Sequence, residues 1–261
     1  IPKTVLEIKD SVFGGCAELT SIDLSSVTVK LGNNAFYYSV TPCAKLTSVT
    51  LSNNLKEIGN YAFAKCANLS AVTIAGSKTA SVLPDALEKL GQWAFQETLI
   101  ASVKIPATLE TLGKGAFAKC EKLSSVEFAQ SGDLLLEAGS GTDSGVFAQT
   151  AITSIDLSKR SNLNSTTAAS GVNQLGGFTF YGCKNLTSYA LPDSVVGIGN
   201  SAFQGCALTS VTIPASITTI GKAAFADCTR LTSVTFVPGA TALTITAGSS
   251  VSGTNSGAFA N

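Results

Sequence analysis

The residues best suited to chemistry in this sequence are its seven cysteines, since the chain contains no histidine. Without histidine, catalytic triads that need an imidazole are excluded, and the commonest metal ligand is missing. The cysteines recur at one position, three residues before a leucine or, in one copy, two residues before it. They are Cys16, Cys43, Cys66, Cys120, Cys183, Cys206 and Cys228, while two further copies hold Thr98 and Thr150 at this position. Threonine would end thiol chemistry but preserve a small side chain, so the pattern predicts buried free thiols rather than a metal or redox site.

A pair of carboxylates is the second candidate for chemistry. Glu127 and Asp156 fall at the same position of two neighbouring predicted strands. This would place their carboxylates about 5 Å apart, the separation found in retaining glycosidases. Lys104 stands at the same position one strand earlier, and nothing in the sequence indicates a pocket or a raised pKa. We therefore predict that the protein is not an enzyme and has no catalytic, metal-binding or cofactor-binding residues, with polysaccharide hydrolysis as the remaining alternative.

Short polar side chains occupy the outward positions of the predicted strands and form the candidate binding surface. Its residues are Ser21, Asp23, Ser48, Thr50, Thr73, Ser102, Lys104, Ser125, Glu127, Ser154 and Asp156. The columns of hydroxyls are typical either of a solvated sheet face, where β-propensity selects threonine, or of a flat hydrogen-bonding platform. They lack the aromatic and arginine anchors of tight interfaces, so binding through this face alone should be modest.

The elements that carry these residues are copies of one cassette. Nine copies share the six-residue pattern L-x-x-V-x-I, in which the first, fourth and sixth positions are apolar, as in residues 69–74 and 231–236. The last three positions alternate apolar, polar, apolar, which predicts a short strand with one buried face. A phenylalanine precedes each strand at spacings as short as 22 residues, which predicts a stacked aromatic core. The column is Phe13, Phe36, Phe63, Phe95, Phe117, Phe147, Phe180, Phe203, Phe225 and Phe259.

Each strand is followed by a turn, often with proline, and then by a second short apolar segment that ends in glycine. The stretch from there through phenylalanine to cysteine has room for about one helical turn. The copies are separated by insertions of turn-prone composition, which we place outside the strand sheet. They span residues 37–42, 75–91, 129–145, 158–177 and 237–257. Within the insertion of residues 75–91, residues 83–90 are expected to form a helical turn with Asp85 near its start.

Bulk composition narrows the function classes. The chain has 261 residues, is 45% hydrophobic and 13% charged, and has a formal net charge of zero. No electrostatic attraction to nucleic acid is therefore indicated. No apolar run approaches the roughly 20 residues that span a bilayer, so membrane insertion is not predicted. No signal peptide is visible and the first residue is Ile1, which favours a mature or excised chain.

The two ends of the sequence both fall inside a repeat. Residues 1–8 match residues 213–220 position for position, and the chain stops one residue before the next cysteine position would come. A solenoid needs polar caps at its ends for solubility. We therefore expect residues 1–261 to form a single repeat domain that is a portion of a longer array, or whose ends are covered by neighbouring molecules in a crystal.

The cassette resembles the BspA-like class of leucine-rich repeats. Its form, I-P-x-x-[VI]-x-x-I-G-x-x-A-F-x-x-C-x-x-L-T-S-V-x-[IL], is present in residues 213–236 and nearly so in residues 1–24. The resemblance implies an α/β solenoid: a right-handed leucine-rich-repeat superhelix of about ten repeats, with a parallel concave β-sheet and short helical or irregular convex returns. A parallel β-helix is the alternative, and it would show two or three strand signals per coil.

Members of this family are typically secreted or cell-surface proteins of bacteria and some protists, often linked to adhesion. The resemblance thus implies a non-catalytic extracellular binding or adhesion module that recognises a protein or a glycan. The strand face or the inserted loops would make the contact. A structural spacer that displays another domain is the alternative function.

Overall fold

The fold is built from two kinds of parallel strand that alternate along most of the chain. The computed structural model describes residues 1–76, 83–130, 132–161, 163–164, 173–239, 242–246 and 257–259. In chain order the strands are β1 (Glu7–Ile8), β2 (Ser21–Leu24), β3 (Lys30–Leu31), β4 (Ser48–Leu51), β5 (Glu57–Ile58), β6 (Ala71–Ile74), β7 (Lys89–Leu90), β8 (Ser102–Ile105), β9 (Thr111–Leu112), β10 (Ser125–Phe128), β11 (Leu134–Leu136), β12 (Ser154–Asp156), β13 (Leu163–Asn164), β14 (Gln174–Leu175), β15 (Ser188–Ala190), β16 (Gly197–Ile198), β17 (Ser210–Ile213), β18 (Thr219–Ile220), β19 (Ser233–Phe236) and β20 (Thr244–Ile245).

The pairing of these strands defines a parallel β-solenoid of stacked coils. One strand of each coil joins a ladder with the order β1-β3-β5-β7-β9-β11-β13, which is followed by β14-β16-β18-β20. The other strand, which holds the predicted outward columns, joins the ladders β2-β4-β6, β8-β10, β12-β15 and β17-β19. We call these the short and long strands. Each coil therefore has two strand positions, whereas the cassette predicted one. Two or three strands per coil had been expected for the β-helix alternative.

The returns contain no helix in the part of the chain that the structure describes, so the prediction of helical returns is wrong. The loop around each core phenylalanine, here called the Phe loop, instead donates backbone N–H groups to the next coil, as Phe95 does to the Ala116 carbonyl at 2.8 Å. Residues two before and two after the phenylalanine adopt left-handed φ angles, even where they are not glycine, such as Trp93 at 51° and Glu97 at 57°. Hydrogen bonds between coils therefore replace the bonds that a helix would form within itself.

The long insertions contain ordinary short strands, and this corrects their boundaries. Residues 83–90, expected to form a helical turn, instead make a turn from Pro84 to Leu87 and then strand β7. Strands β11, β13, β14 and β20 lie within the other three insertions in the same way. The remaining inserted residues include 77–82, 131, 162, 165–172, 240–241 and 247–256, which lie outside the described residues.

The core is a continuous column of phenylalanine rings, as predicted. Successive rings from Phe13 to Phe259 stack with centroids 5.0–5.8 Å apart and interplanar angles of 2–17°. The eight rings between the two ends are fully buried, and the apolar side chains of both strand types pack against them. Each coil thus buries its apolar face only by stacking on its neighbours, as in other repeat proteins.

The ladder of long strands breaks where one residue is missing upstream of a strand. Most copies place two residues between the cysteine position and the first apolar residue of the cassette, as between Cys120 and Leu123. Only one residue lies there before β8, β12 and β17, and these are the three strands at which a new ladder begins. One residue fewer removes about 3.5 Å of reach from the connection, so the strand is displaced relative to the preceding one. The expected continuous sheet is therefore four shorter ladders.

Candidate functional site

The predicted binding residues all lie on the outward side of the long strands. Serine meets serine at Ser21–Ser48, Ser102–Ser125 and Ser154–Ser188, while the second column pairs Asp23 with Thr50 and Thr50 with Thr73. The side chains are exposed or half-buried, whereas the apolar residues between them point into the core. The predicted assignment of inward and outward positions is therefore confirmed. The ladder breaks divide the eleven residues among three ladders, so they do not share one hydrogen-bonded sheet.

Glu127 and Asp156 lie in different hydrogen-bonded ladders. Glu127 lies opposite Lys104 in the β8–β10 ladder, whereas Asp156 lies in the next ladder, opposite Ala190. The Asp156 carboxylate accepts hydrogen bonds from the backbone N–H and the hydroxyl of Ser158, two residues along its own loop. Asp23 accepts the N–H of Ser25 in the same way. Strands β10 and β12 are in contact, as expected for neighbouring copies, but they belong to different hydrogen-bonded ladders. The carboxylate of Asp156 organises a local turn.

Six of the seven cysteines form the buried free-thiol column that the sequence predicts. Each donates its S–H to the carbonyl of the core phenylalanine of the preceding coil, as from Cys120 to Phe95 at 3.0 Å and from Cys228 to Phe203 at 3.2 Å. Thr98 occupies the same repeat position, but its hydroxyl donates to the phenylalanine carbonyl of its own coil, that of Phe95, at 2.9 Å. Cys16 is exposed, so its predicted burial is wrong. Cys16 lies in the first coil that the structure describes.

Burial makes the internal thiols unreactive. Loss of hydration raises the pKa of the Cys120 and Cys183 thiols to about 11, so they stay protonated at neutral pH. We expect a thiol reagent at neutral pH to modify one cysteine of the native chain rapidly and the other six only after denaturant is added. Mass spectrometry of the labelled peptides should place the fast modification on Cys16. Rapid labelling of Cys120 or Cys183 without denaturant would contradict a packed thiol column.

An aromatic stack lies on the side of the coils that carries the Phe loops, which we call the return side. Tyr37 stacks on Tyr61 with ring centroids 5.8 Å apart, and Tyr61 stacks on Trp93 at 5.0 Å. All three side chains are half-buried. The Lys114 ammonium group lies 5.0 Å from the Trp93 ring centroid. Trp93 also lies against Gly115, where a Cβ atom would collide with the indole. Tyr61 and Trp93 both lie two residues before a core phenylalanine, and this shared repeat position could have predicted their contact.

The inserted loop of residues 37–42 adds exposed apolar side chains next to this stack. Tyr38 is 55% exposed and Val40 is 77% exposed. The loop packs against the first coil, because a Cβ atom built at Gly15 would contact the Thr41 side chain. The aromatic anchors that the strand face lacks are thus present on the return side.

A second inserted loop is tied to the return side through Asp143. Its carboxylate accepts hydrogen bonds from the Lys119 ammonium at 2.7 Å and from the Gln149 amide at 2.8 Å, and its backbone carbonyl accepts the Trp93 indole N–H at 3.3 Å. The Lys119 hydrogen bond lowers the pKa of Asp143, and the same contact raises the pKa of Lys119. Both groups are therefore charged at neutral pH and hold the loop beside the aromatic stack.

Across the described ranges there is no group of three or more His, Cys, Asp or Glu side chains that could hold a metal ion. Those ranges likewise contain no helix long and apolar enough to cross a membrane.

Comparison with known proteins places the chain in a family. Residues 1–81, 43–160 and 157–261 match the BspA type leucine rich repeat region, with six copies. The chain belongs to the BspA-type leucine-rich repeat family. The two strand positions and the Phe loop of each coil are therefore features of a BspA-type repeat, and the resemblance found in the cassette is confirmed. A search of curated proteins found no match for this BspA-type chain.

Solved structures share the fold of this BspA-type chain. A leucine-rich repeat protein of T. pallidum is 20% identical, with a TM-score of 0.51 over 87% of this chain and 82% of the other. A leucine-rich cell surface protein of Faecalibacterium prausnitzii is 22% identical, with a TM-score of 0.46 over 89% and 83%. A leucine-rich repeat protein of Bacteroides ovatus is 22% identical, with a TM-score of 0.42 over 88% and 76%. At these identities the similarity concerns the fold alone.

Proposed function

We propose that this chain is a non-catalytic binding module of a secreted or surface-displayed protein, and that its ligand is a protein or a glycan. The family resemblance supports the extracellular location, since members are typically secreted or exposed on cells. The hydrogen bonds that the Asp156 carboxylate accepts from Ser158 give it a role in a local turn, which supports a non-catalytic module. The outward residues of the long strands remain a candidate surface, but their short polar side chains supply little binding energy.

The return side is the better candidate for the contact, and one observation carries this choice. Tyr38 and Val40 are exposed at 55% and 77%, and they adjoin the half-buried stack of Tyr37, Tyr61 and Trp93. Tyrosine and tryptophan are enriched among residues that dominate binding energy. A rigid aromatic row beside an exposed apolar loop therefore offers the anchors that a specific ligand needs. The sequence left two surfaces open, the strand face and the inserted loops, and this choice favours the inserted loops.

A binding panel with two matched double variants tests the proposal. The labelled chain is applied to immobilised extracellular proteins and to an oligosaccharide array. For a ligand that binds, we expect Tyr38→Ser with Val40→Ser to weaken binding at least about tenfold, since truncation of an interface anchor costs more than about 1 kcal/mol. Lys104→Ser with Glu127→Ser, equally exposed on the strand face, should leave the affinity unchanged.

The opposite pattern would move the binding surface to the long strands and contradict the return side. The absence of binding to any protein or saccharide would instead support the structural spacer. The uninterrupted stack of phenylalanine rings favours this second candidate, because it gives the coils a continuous core.

A further inference from the structure

The return side also carries an open polar depression of about 360 Å³ between the sixth and ninth core phenylalanines. It lies over the residues two positions after the core phenylalanine. In the other coils before the last, this position is glycine in the first coil and otherwise a large or polar residue: Gly15, Tyr38, Lys65, Glu97, Lys119, Gln149 and Asp227. In two successive coils it holds Gly182 and Gly205. The two missing side chains leave the depression between Gln149 and Asp227.

The backbone does not demand glycine at these two positions. Gly182 and Gly205 have φ angles of 68° and 72°, whereas Gln149, Lys119 and Asp227 occupy the equivalent positions at 56–58° with full side chains. A Cβ atom at Gly205 would meet nothing closer than 3.6 Å, and one at Gly182 would lie 3.2 Å from the flexible Gln149 side chain. The absence of side chains therefore opens space on the surface without being required by the fold.

The walls of the depression consist of fixed hydrogen-bonding groups and one aromatic ring. The Gln204 amide donates to the Asp227 carboxylate at 2.8 Å, and the Gln149 amide donates to Asp143 at 2.8 Å. These bonds orient the side chains and leave the carbonyl oxygens of both amides as acceptors. The Tyr181 ring leans on Phe178 at 5.8 Å and supplies an apolar wall with a phenolic hydroxyl. Thr142 and Lys184 add further donors.

The depression continues into a second one, which makes the site elongated. The second has a volume of about 240 Å³ and shares Gln149, Gly182 and Lys184 with the first. Glu121 and Asn185 extend its polar lining. A ligand that occupied both would be a chain of polar units rather than a compact molecule.

We propose that this groove binds a neutral oligosaccharide. Sugar hydroxyls both donate and accept hydrogen bonds, and they match a wall that mixes amide carbonyls, a carboxylate, hydroxyls and an ammonium group. The apolar face of a sugar ring fits the Tyr181 ring. Across both depressions the lining contains two carboxylates, Asp227 and Glu121, and one ammonium group, Lys184, so the groove does not favour an anionic saccharide. This inference rests on the proposed function and assigns a ligand class to one part of the return side.

Filling the groove from its floor tests the proposal. The probe is an array of linear glucan, galactan, mannan and xylan oligosaccharides, and each saccharide that binds is titrated by calorimetry. We expect Gly205→Gln to weaken binding at least tenfold, since it adds over the groove floor the side chain that Gln149 has at the same repeat position. Lys65→Gln changes the same position outside the groove and should leave the affinity unchanged. Tyr181→Ala removes the aromatic wall without filling the space, and it should also weaken binding.

The outcomes separate the groove from the broader proposal. Unchanged saccharide binding by both Gly205→Gln and Tyr181→Ala, with native unfolding curves, overturns the groove and places the saccharide elsewhere. An array without any bound saccharide also overturns it. In that case, binding to the protein panel that depends on Tyr38 and Val40 leaves the proposed function standing, whereas the absence of all binding overturns both.

Discussion

Replacement of Phe117 by alanine is expected to lower the free energy of unfolding by about 3–5 kcal/mol. Phe117 is fully buried and stacks between Phe95 and Phe147, with ring centroids 5.7 and 5.8 Å away. Its removal loses the burial of the ring and leaves a cavity in a column that cannot collapse, because the coils on both sides are fixed by backbone hydrogen bonds. Equilibrium denaturation followed by tryptophan fluorescence measures the change, since Trp93 lies in a neighbouring coil.

Ser125→Ala is the matched control for Phe117→Ala. Ser125 is exposed on the long strand of the same repeat, so its replacement should change the free energy of unfolding by less than about 0.5 kcal/mol. Equal losses at the two positions would show that the inward and outward assignment is wrong.

Gly113→Ala is expected to cost about 2–3 kcal/mol, although it adds only one methyl group. A Cβ atom at Gly113 would lie 2.5 Å from the Gln92 nitrogen and the Gly91 carbonyl carbon in the preceding coil. These are backbone atoms, so no flexible side chain can move aside. The same close approach recurs after other short strands, at Gly59, Gly91 and Gly221. Thermal or chemical denaturation should show the loss.

Gly141→Ala provides the control for the glycine prediction. Gly141 lies in the loop held by Asp143, where a Cβ atom would meet nothing within 4 Å. Its replacement should be neutral or slightly stabilising, since alanine has less freedom in the unfolded chain. A Gly113→Ala variant as stable as Gly141→Ala would contradict the close contact between coils.

The parts of the fold that were predicted correctly depend on burial, which leaves a periodic mark on the sequence. The phenylalanine column, the cysteine column after the first coil and the alternation within each long strand follow directly from what each coil must bury. The exposed Cys16 shows the limit of this reasoning, because its type and position match the buried copies. Only its place in the stack differs.

The returns were predicted incorrectly because their backbone is determined by contacts between coils. A stretch of small residues around phenylalanine has room for a helical turn, and nothing in its composition marks the left-handed φ angles of Tyr61, Trp93 or Lys119. Such angles are uncommon outside glycine. They are maintained here because the N–H groups of the Phe loop bond to the next coil.

The candidate surfaces were predicted only in part. The outward columns were assigned to the correct residues, but the ladder breaks depend on a connection that is one residue shorter, at Thr98, Thr150 and Cys206. The aromatic stack was missed because Tyr37 follows its core phenylalanine whereas Tyr61 and Trp93 precede theirs. Tyr37 therefore does not share the repeat position of Tyr61 and Trp93, and only the folded Phe loops bring all three rings together.

Hydroxyl-radical oxidation of Tyr38 and Trp93, with and without a ligand from the binding panel, tests most directly whether the return side is the binding surface. Peptide mass spectrometry reports the rate at each side chain. We predict that the bound ligand slows oxidation of the exposed Tyr38 and of the half-buried Trp93. Unchanged rates at both side chains while the ligand remains bound would contradict a contact through the return side.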